Sequence, residues 1–138
     1  MLRKYLCFSI LLGSTVFGWS LNITVRGIRV DPGSSIGIGL FRPNDPFPTV
    51  GKEYKGEYLS ADSPEVTYSF KNIEDGIYAV SVYHDKNGNR LLDDNFFGIP
   101  VEGYGFSNNV RGVFSAPSFD EASLVIDSDK SITVNLHY

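Results

Sequence analysis

Apolar and polar residues alternate with a period of two along most of this chain, and the elements it predicts are strands. Leu21, Ile23 and Val25 alternate with Asn22, Thr24 and Arg26, the pattern of a strand with one buried face and one wet face. Gly27 interrupts it, as a bulge would. Asp31-Pro32-Gly33-Ser34 has the composition of a turn. Ile36, Ile38 and Leu40 then alternate with Gly37, Gly39 and Phe41, giving a second strand expected to pair with the first. Glycines on one face imply a close neighbour or a flat surface.

Prolines 43, 46, 48 and 64 break the pattern between Arg42 and Pro64, and only a short helical turn around 51–56 is expected there. Val66, Tyr68 and Phe70 resume the alternation. A connection from Asn72 to Gly76 leads into Ile77 to Tyr83, whose β-branched and aromatic residues suit a central strand. A glycine-punctuated segment follows from Phe96 to Gly112. Ser123 to Ile126 and Ser131 to His137 read as a terminal pair joined by Asp127 to Lys130. Six or seven short strands and no helix of three turns predict an all-β chain. The expected architecture is a single antiparallel β-sandwich, immunoglobulin-like or transthyretin-like in outline. A small closed barrel is the alternative.

The first twenty residues stand apart. Arg3 and Lys4 precede an apolar run from Tyr5 to Phe17, and Gly18 and Ser20 supply small residues before Leu21. That is a secretory leader, with the cut expected between Ser20 and Leu21. The run is shorter than the ~20 residues a membrane span needs, so a single domain over 21–138 with no transmembrane segment is expected. Cys7 is the only cysteine, and it leaves with the leader. The mature chain therefore has no disulfide, although an oxidising compartment would permit one. Export to the periplasm or the extracellular space is expected, for a monomer.

The formal net charge is −4, and losing Arg3 and Lys4 makes it −6. That balance argues against nucleic acid, which needs clustered cations to neutralise phosphates. Asn22-Ile23-Thr24 matches a glycosylation sequon, a triplet common by chance.

The candidate chemistry lies in His84 to Phe97, HDKNGNRLLDDNFF. Asp85, Asn87, Asn89 and Asp93 fall at the first, third, fifth and ninth places of a loop, the spacing that aims side-chain oxygens at one calcium ion. Leu91 would ligate through its carbonyl, with Asp94 in reserve. The twelfth place is Phe96 where a bidentate Glu is usual, and the sixth is Arg90 where Gly is usual. Glu102 is the nearest acid that would fold back to replace the missing Glu. Such a site would be weak, on the order of 10⁻⁴–10⁻³ M. The alternative is a metal-free turn in which Asn and Asp side chains bond their own backbone.

A second candidate is the run through Gly103-Tyr104-Gly105-Phe106-Ser107-Asn108-Asn109. Tyr104 and Phe106 offer aromatic faces, and Glu102, Asn108, Asn109 and Arg111 offer polar groups, as a saccharide or peptide site needs. The same residues would serve equally as core plugs and loop staples. Catalysis has thin support. Ser107 lacks the Gly-x-Ser-x-Gly elbow, and His84 and Asp85 would point to opposite faces of a strand. A glycosidase pairing Asp93 or Asp94 with Glu102 is a remaining option. His84 and His137 are the only histidines, too few for a zinc site.

Gly76 to Val82 (GIYAVSV), then HDKNGNRLLDDNFFGIPVEGYGFSNN, Arg111-Gly112 and Ala116 to Phe119 together resemble a family of secreted bacterial domains of unknown function, family twenty-one forty-one. The resemblance covers nearly all of the mature chain. It implies an exported immunoglobulin-like or transthyretin-like sandwich with no established activity, and family members that carry Gly where this chain has Arg90. Phe70 to Val82 is also similar to regulatory sandwich modules attached to carboxypeptidases. The expected function is a non-catalytic module that binds a ligand or an envelope protein at one loop end, with weak calcium as its one candidate cofactor. A structural envelope-associated domain is the alternative.

Overall fold

The computed structural model describes residues 18–90, 102–112 and 115–138. Residues 1–17 of the expected twenty-residue leader, together with Leu91, Asp93 and Asp94, lie outside them. Eight strands run through the described residues: β1 (Trp19–Arg26), β2 (Ser35–Phe41), β3 (Lys55–Ser60), β4 (Glu65–Ile73), β5 (Gly76–Asp85), β6 (Tyr104–Phe106), β7 (Ser123–Ile126) and β8 (Lys130–Asn135). Besides a 3-10 turn over Ser107–Asn109, a short helical turn, α1 (Phe119–Ala122), is capped by Ser118, whose side chain accepts from the Glu121 amide. No described helix is long and apolar enough to cross a membrane.

The chain is an all-β sandwich of two sheets. One has three strands in the order β4-β1-β8, and the other runs β3-β2-β5-β6 with β7 also paired to β5. Three pairings differ from the sequence reading. The first two strands do not form a hairpin, because β1 pairs with β4 and β8 while β2 pairs with β3 and β5. The turn between them, with Gly33 at φ 89°, carries the chain from one sheet to the other. Likewise β7 joins β5 and β8 joins β1, so the expected terminal pair is divided between the sheets. The β1–β8 pair is parallel, where only antiparallel pairs were expected. Finally, β3 occupies part of the segment expected to hold a helical turn.

The core lies between the sheets. Leu21, Ile23, Val25 and Val134 from one meet Ile36, Ile38, Leu40, Val80 and Val82 from the other. Burying such side chains contributes roughly 1.5–3 kcal/mol each, the main source of stability in a fold without disulfides. β2 is covered on both faces, which explains its glycines: a Cβ at Gly37 would collide with the ring of Tyr83 across the β2–β5 pair. A second cluster of Ala79, Phe106 and Ala122, with Phe47, Tyr104, Val110 and Phe119 around it, closes one edge.

β5 has two successive partners along one edge. β7 pairs with it from Gly76 to Ala79, and β6 pairs with it from Ser81 to Tyr83. Val80 sits at the junction, and its N–H donates to the Ser107 hydroxyl at 2.9 Å. The same hydroxyl donates to the Ala122 carbonyl at 2.5 Å, so one buried side chain joins the seam.

Candidate functional site

The antiparallel register of β5 and β6 builds the site. Tyr83 faces Tyr104, and the His84 amide continues the ladder to the Gly103 carbonyl at 2.7 Å. The next step along that ladder sets Glu102 opposite Asp85 at the mouth of the Asx-rich loop. Both carboxylates are buried, at 1% exposure for Asp85 and 4% for Glu102.

Each carboxylate holds loop backbone. Asp85 Oδ2 accepts from the Arg90 amide at 2.7 Å, and Glu102 Oε2 accepts from the Lys86 amide at 3.0 Å. Asn87 Oδ1 accepts from the Asn89 amide at 3.1 Å. The loop therefore winds back around Asp85, with Gly88 at φ 72° and Arg90 at φ 57°. A left-handed arginine is uncommon, yet the backbone makes the sharp turn at the sixth place for which glycine is the usual residue. The Arg90 guanidinium lies over the Tyr58 ring at 4.4 Å, a cation–π contact that holds this strained residue. Tyr58 in turn bonds Tyr83 through their hydroxyls at 3.0 Å.

One atom is left over. Asp85 Oδ1 is buried and has no hydrogen-bond partner among the described residues. A self-bonded Asx turn accounts for Asp85 Oδ2 and Asn87 Oδ1 but gives Oδ1 nothing. An unmet buried polar atom costs about 1–3 kcal/mol, more when charged. Among the described residues no three His, Cys, Asp or Glu side chains form a metal cluster. Two carboxylates plus amide oxygens nonetheless match the oxygen donors that calcium takes.

Beside Asp85, His84 faces the other way, as alternation along β5 requires. It is fully buried, with Nε2 2.7 Å from Ser34 Oγ and Nδ1 2.7 Å from Tyr138 Oη. Ser34 donates to the Asp31 carbonyl at 2.6 Å, and the Arg29 amide donates to Tyr138 Oη at 3.0 Å. These ends fix the direction of the chain. Tyr138 donates to Nδ1, and Nε2–H donates to Ser34, which makes His84 a neutral tautomer assigned from its partners. Burial, and then the positive charge of Lys86, hold its pKa below the ordinary imidazole value. Sequence reasoning missed Ser34 and Tyr138, which lie 50 and 54 residues from His84.

The glycine-aromatic residues are placed as follows. Phe106 is buried in the second cluster and Tyr104 is half-buried beside it. Asn108 Nδ2 donates to the carbonyls of Ser123 and Glu121, at 2.8 and 3.2 Å. Asn109 bridges to β8, donating to the Thr133 carbonyl and accepting from the Asn135 amide. Arg111 is exposed, and its charge helps burial lower the pKa of His137. Glu102 thus joins the Asx loop, whereas Phe106, Asn108 and Asn109 are engaged with the fold.

A family model described as an uncharacterised protein conserved in bacteria, DUF2141, matches residues 23–135. The chain belongs to the DUF2141 family. The match runs from within β1 through the last residue of β8, so the matched residues take in strands of both sheets, Asp85 to Arg90 and Glu102. No curated protein and no solved structure gives a match to this DUF2141 chain.

Proposed function

We propose that this domain is an exported, non-catalytic sandwich module whose Asx-rich loop binds calcium and presents an ordered surface to an envelope partner. Asp85, Asn87, Asn89 and Glu102 are the described residues that hold the ion, and the observation that carries the reading is the bare, buried Asp85 Oδ1. A calcium ion would satisfy that oxygen and offset the charge of two buried carboxylates. Glu102 takes the role that Phe96 cannot fill at the twelfth place. The ion would close the loop onto the end of the β5–β6 ladder, leaving Lys86 to Arg90 exposed as the surface for recognition.

The chemistry of the hydroxyls and imidazoles supports the non-catalytic part. Ser107 is fully buried and bonded to backbone. Ser34 touches His84 but donates its own proton to a carbonyl, the reverse of an activated nucleophile, whose proton goes to the imidazole. Of the carboxylates expected to pair in a glycosidase, Asp93 and Asp94 lie outside the described residues, and Glu102 is buried and accepts from the Lys86 amide.

The test is a thermal melt of residues 19–138 in EDTA, then in 10 mM calcium, with magnesium as control. At a Kd of roughly 10⁻⁴–10⁻³ M, 10 mM calcium is about ten to a hundred times Kd and stabilises by about 1.4–2.7 kcal/mol, a rise of several degrees for a domain of this size. A calcium-specific rise that disappears in Asp85→Ala is expected. Equal midpoints in EDTA and calcium would leave a self-bonded turn and sink the proposal.

A further inference from the structure

We infer that the leader is cut between Gly18 and Trp19, two residues before the position that the small-residue pattern favours, so that Trp19 is the first residue of the mature protein. The fold begins before Leu21. Trp19 pairs with Ile73 of β4 and packs against the main core, and its indole N–H donates to the Asp75 carboxylate. The Ser20 amide donates to Asp129 Oδ1 at 2.8 Å, and Lys71 Nζ reaches Ser20 Oγ at 3.4 Å. A cut after Ser20 would remove all of these contacts.

It would also create an ammonium at the wrong place. Leu21 has 0% exposure, in the central strand of its sheet, with Phe70 on one side and Lys130 on the other. A new positive charge on that backbone nitrogen would be drawn into the core or would fray the strand, since buried charge without a partner is costly. Trp19 is half-buried and is the first residue of β1, so an ammonium there sits at a strand end. In the reaction, water hydrolyses the Gly18–Trp19 amide, leaving a carboxylate on Gly18 and an ammonium on Trp19. Gly18 supplies the small residue directly before the cut, and Val16, a compact aliphatic residue, stands at the third place.

This inference rests on the export reading, and one experiment separates the two. Trp19 is the only tryptophan in the chain, so processing can be read optically as well as by mass. The full chain is expressed in a Gram-negative host, and the periplasmic protein is analysed by intact mass and by fluorescence excited at a tryptophan-selective wavelength. The expected product has the mass of residues 19–138 and a tryptophan emission that shifts on unfolding. A mass of residues 21–138 without tryptophan emission would overturn this inference and leave export standing. Any other amino terminus would also overturn it, and an uncleaved chain retained in the cytoplasm would overturn both.

Discussion

Replacing Ser107 by alanine removes a single oxygen and opens the seam of the larger sheet. The hydroxyl is buried, takes the Val80 N–H at the point where β5 changes partner from β7 to β6, and caps the Ala122 carbonyl. Alanine fills nearly the same volume, so the cost is one of unmet backbone groups and not of a cavity. Each stranded group costs about 1–3 kcal/mol, and partial relaxation of the Ala122 carbonyl leaves roughly 2–4 kcal/mol in total. At some 3–5 °C per kcal/mol for a domain of this length, the midpoint should fall by about 6–20 °C. Circular dichroism or calorimetric melts of the parent, Ser107→Ala and Ser128→Ala provide the assay. The exposed Ser128 in the β7–β8 loop serves as control, expected within about 0.5 kcal/mol of the parent. A Ser107→Ala midpoint within 2 °C of the parent, on the order of half a kcal/mol, would refute the seam argument.

Three further outcomes are expected. The folded pKa of His84 lies below its ordinary value of 6.5, so the unfolded chain binds the extra proton and stability is complete above that pH. Stability should fall as the pH drops through 6.5 toward the folded value, and denaturant titrations should show a shallower fall in His84→Gln, with the part from His137, whose pKa is lowered too, retained. An unchanged slope would count against the buried neutral imidazole. Gly37→Ala should destabilise by about 1–3 kcal/mol, because the new methyl meets the Tyr83 ring, and a neutral urea midpoint would show that the ring moves freely. Asn109→Ala breaks both bonds to β8 and should cost about 1–2 kcal/mol; hydrogen exchange should show β8 opening more readily, and unchanged protection there would contradict the bridging role.

The residues differ in how much of this was legible in sequence. β5 was plain, since its β-branched and aromatic run needs no partner to be read. β3 was hidden: Lys55–Ser60 is a half-exposed edge strand behind a proline-rich stretch, with too little burial to impose a pattern. Pairing was the weaker part of the reading. A short turn between two alternating runs looks like a hairpin, but a sandwich can use the same turn to cross between sheets, as the segments before β2 and β8 do. In the site, the spacing of Asp85, Asn87 and Asn89 was visible because it is local. The return of Glu102 was only a suggestion, because β5–β6 register places it and no local signal encodes register. Phe106, Asn108 and Asn109 attracted attention for their chemical types, but packing and backbone bonding use them up. Ser34 and Tyr138 had no signal, because a hydrogen-bonded chain through His84 exists only once β5, the β1–β2 turn and the chain end meet.

Titration calorimetry of calcium into metal-free protein tests most directly whether Asp85 Oδ1 takes a hard cation. One site per chain is expected, with a Kd on the order of 10⁻⁴–10⁻³ M, abolished in Asp85→Ala and weakened in Glu102→Gln, with magnesium binding more weakly. Heats no larger than dilution up to 10 mM calcium, or undiminished binding by Asp85→Ala, would contradict it.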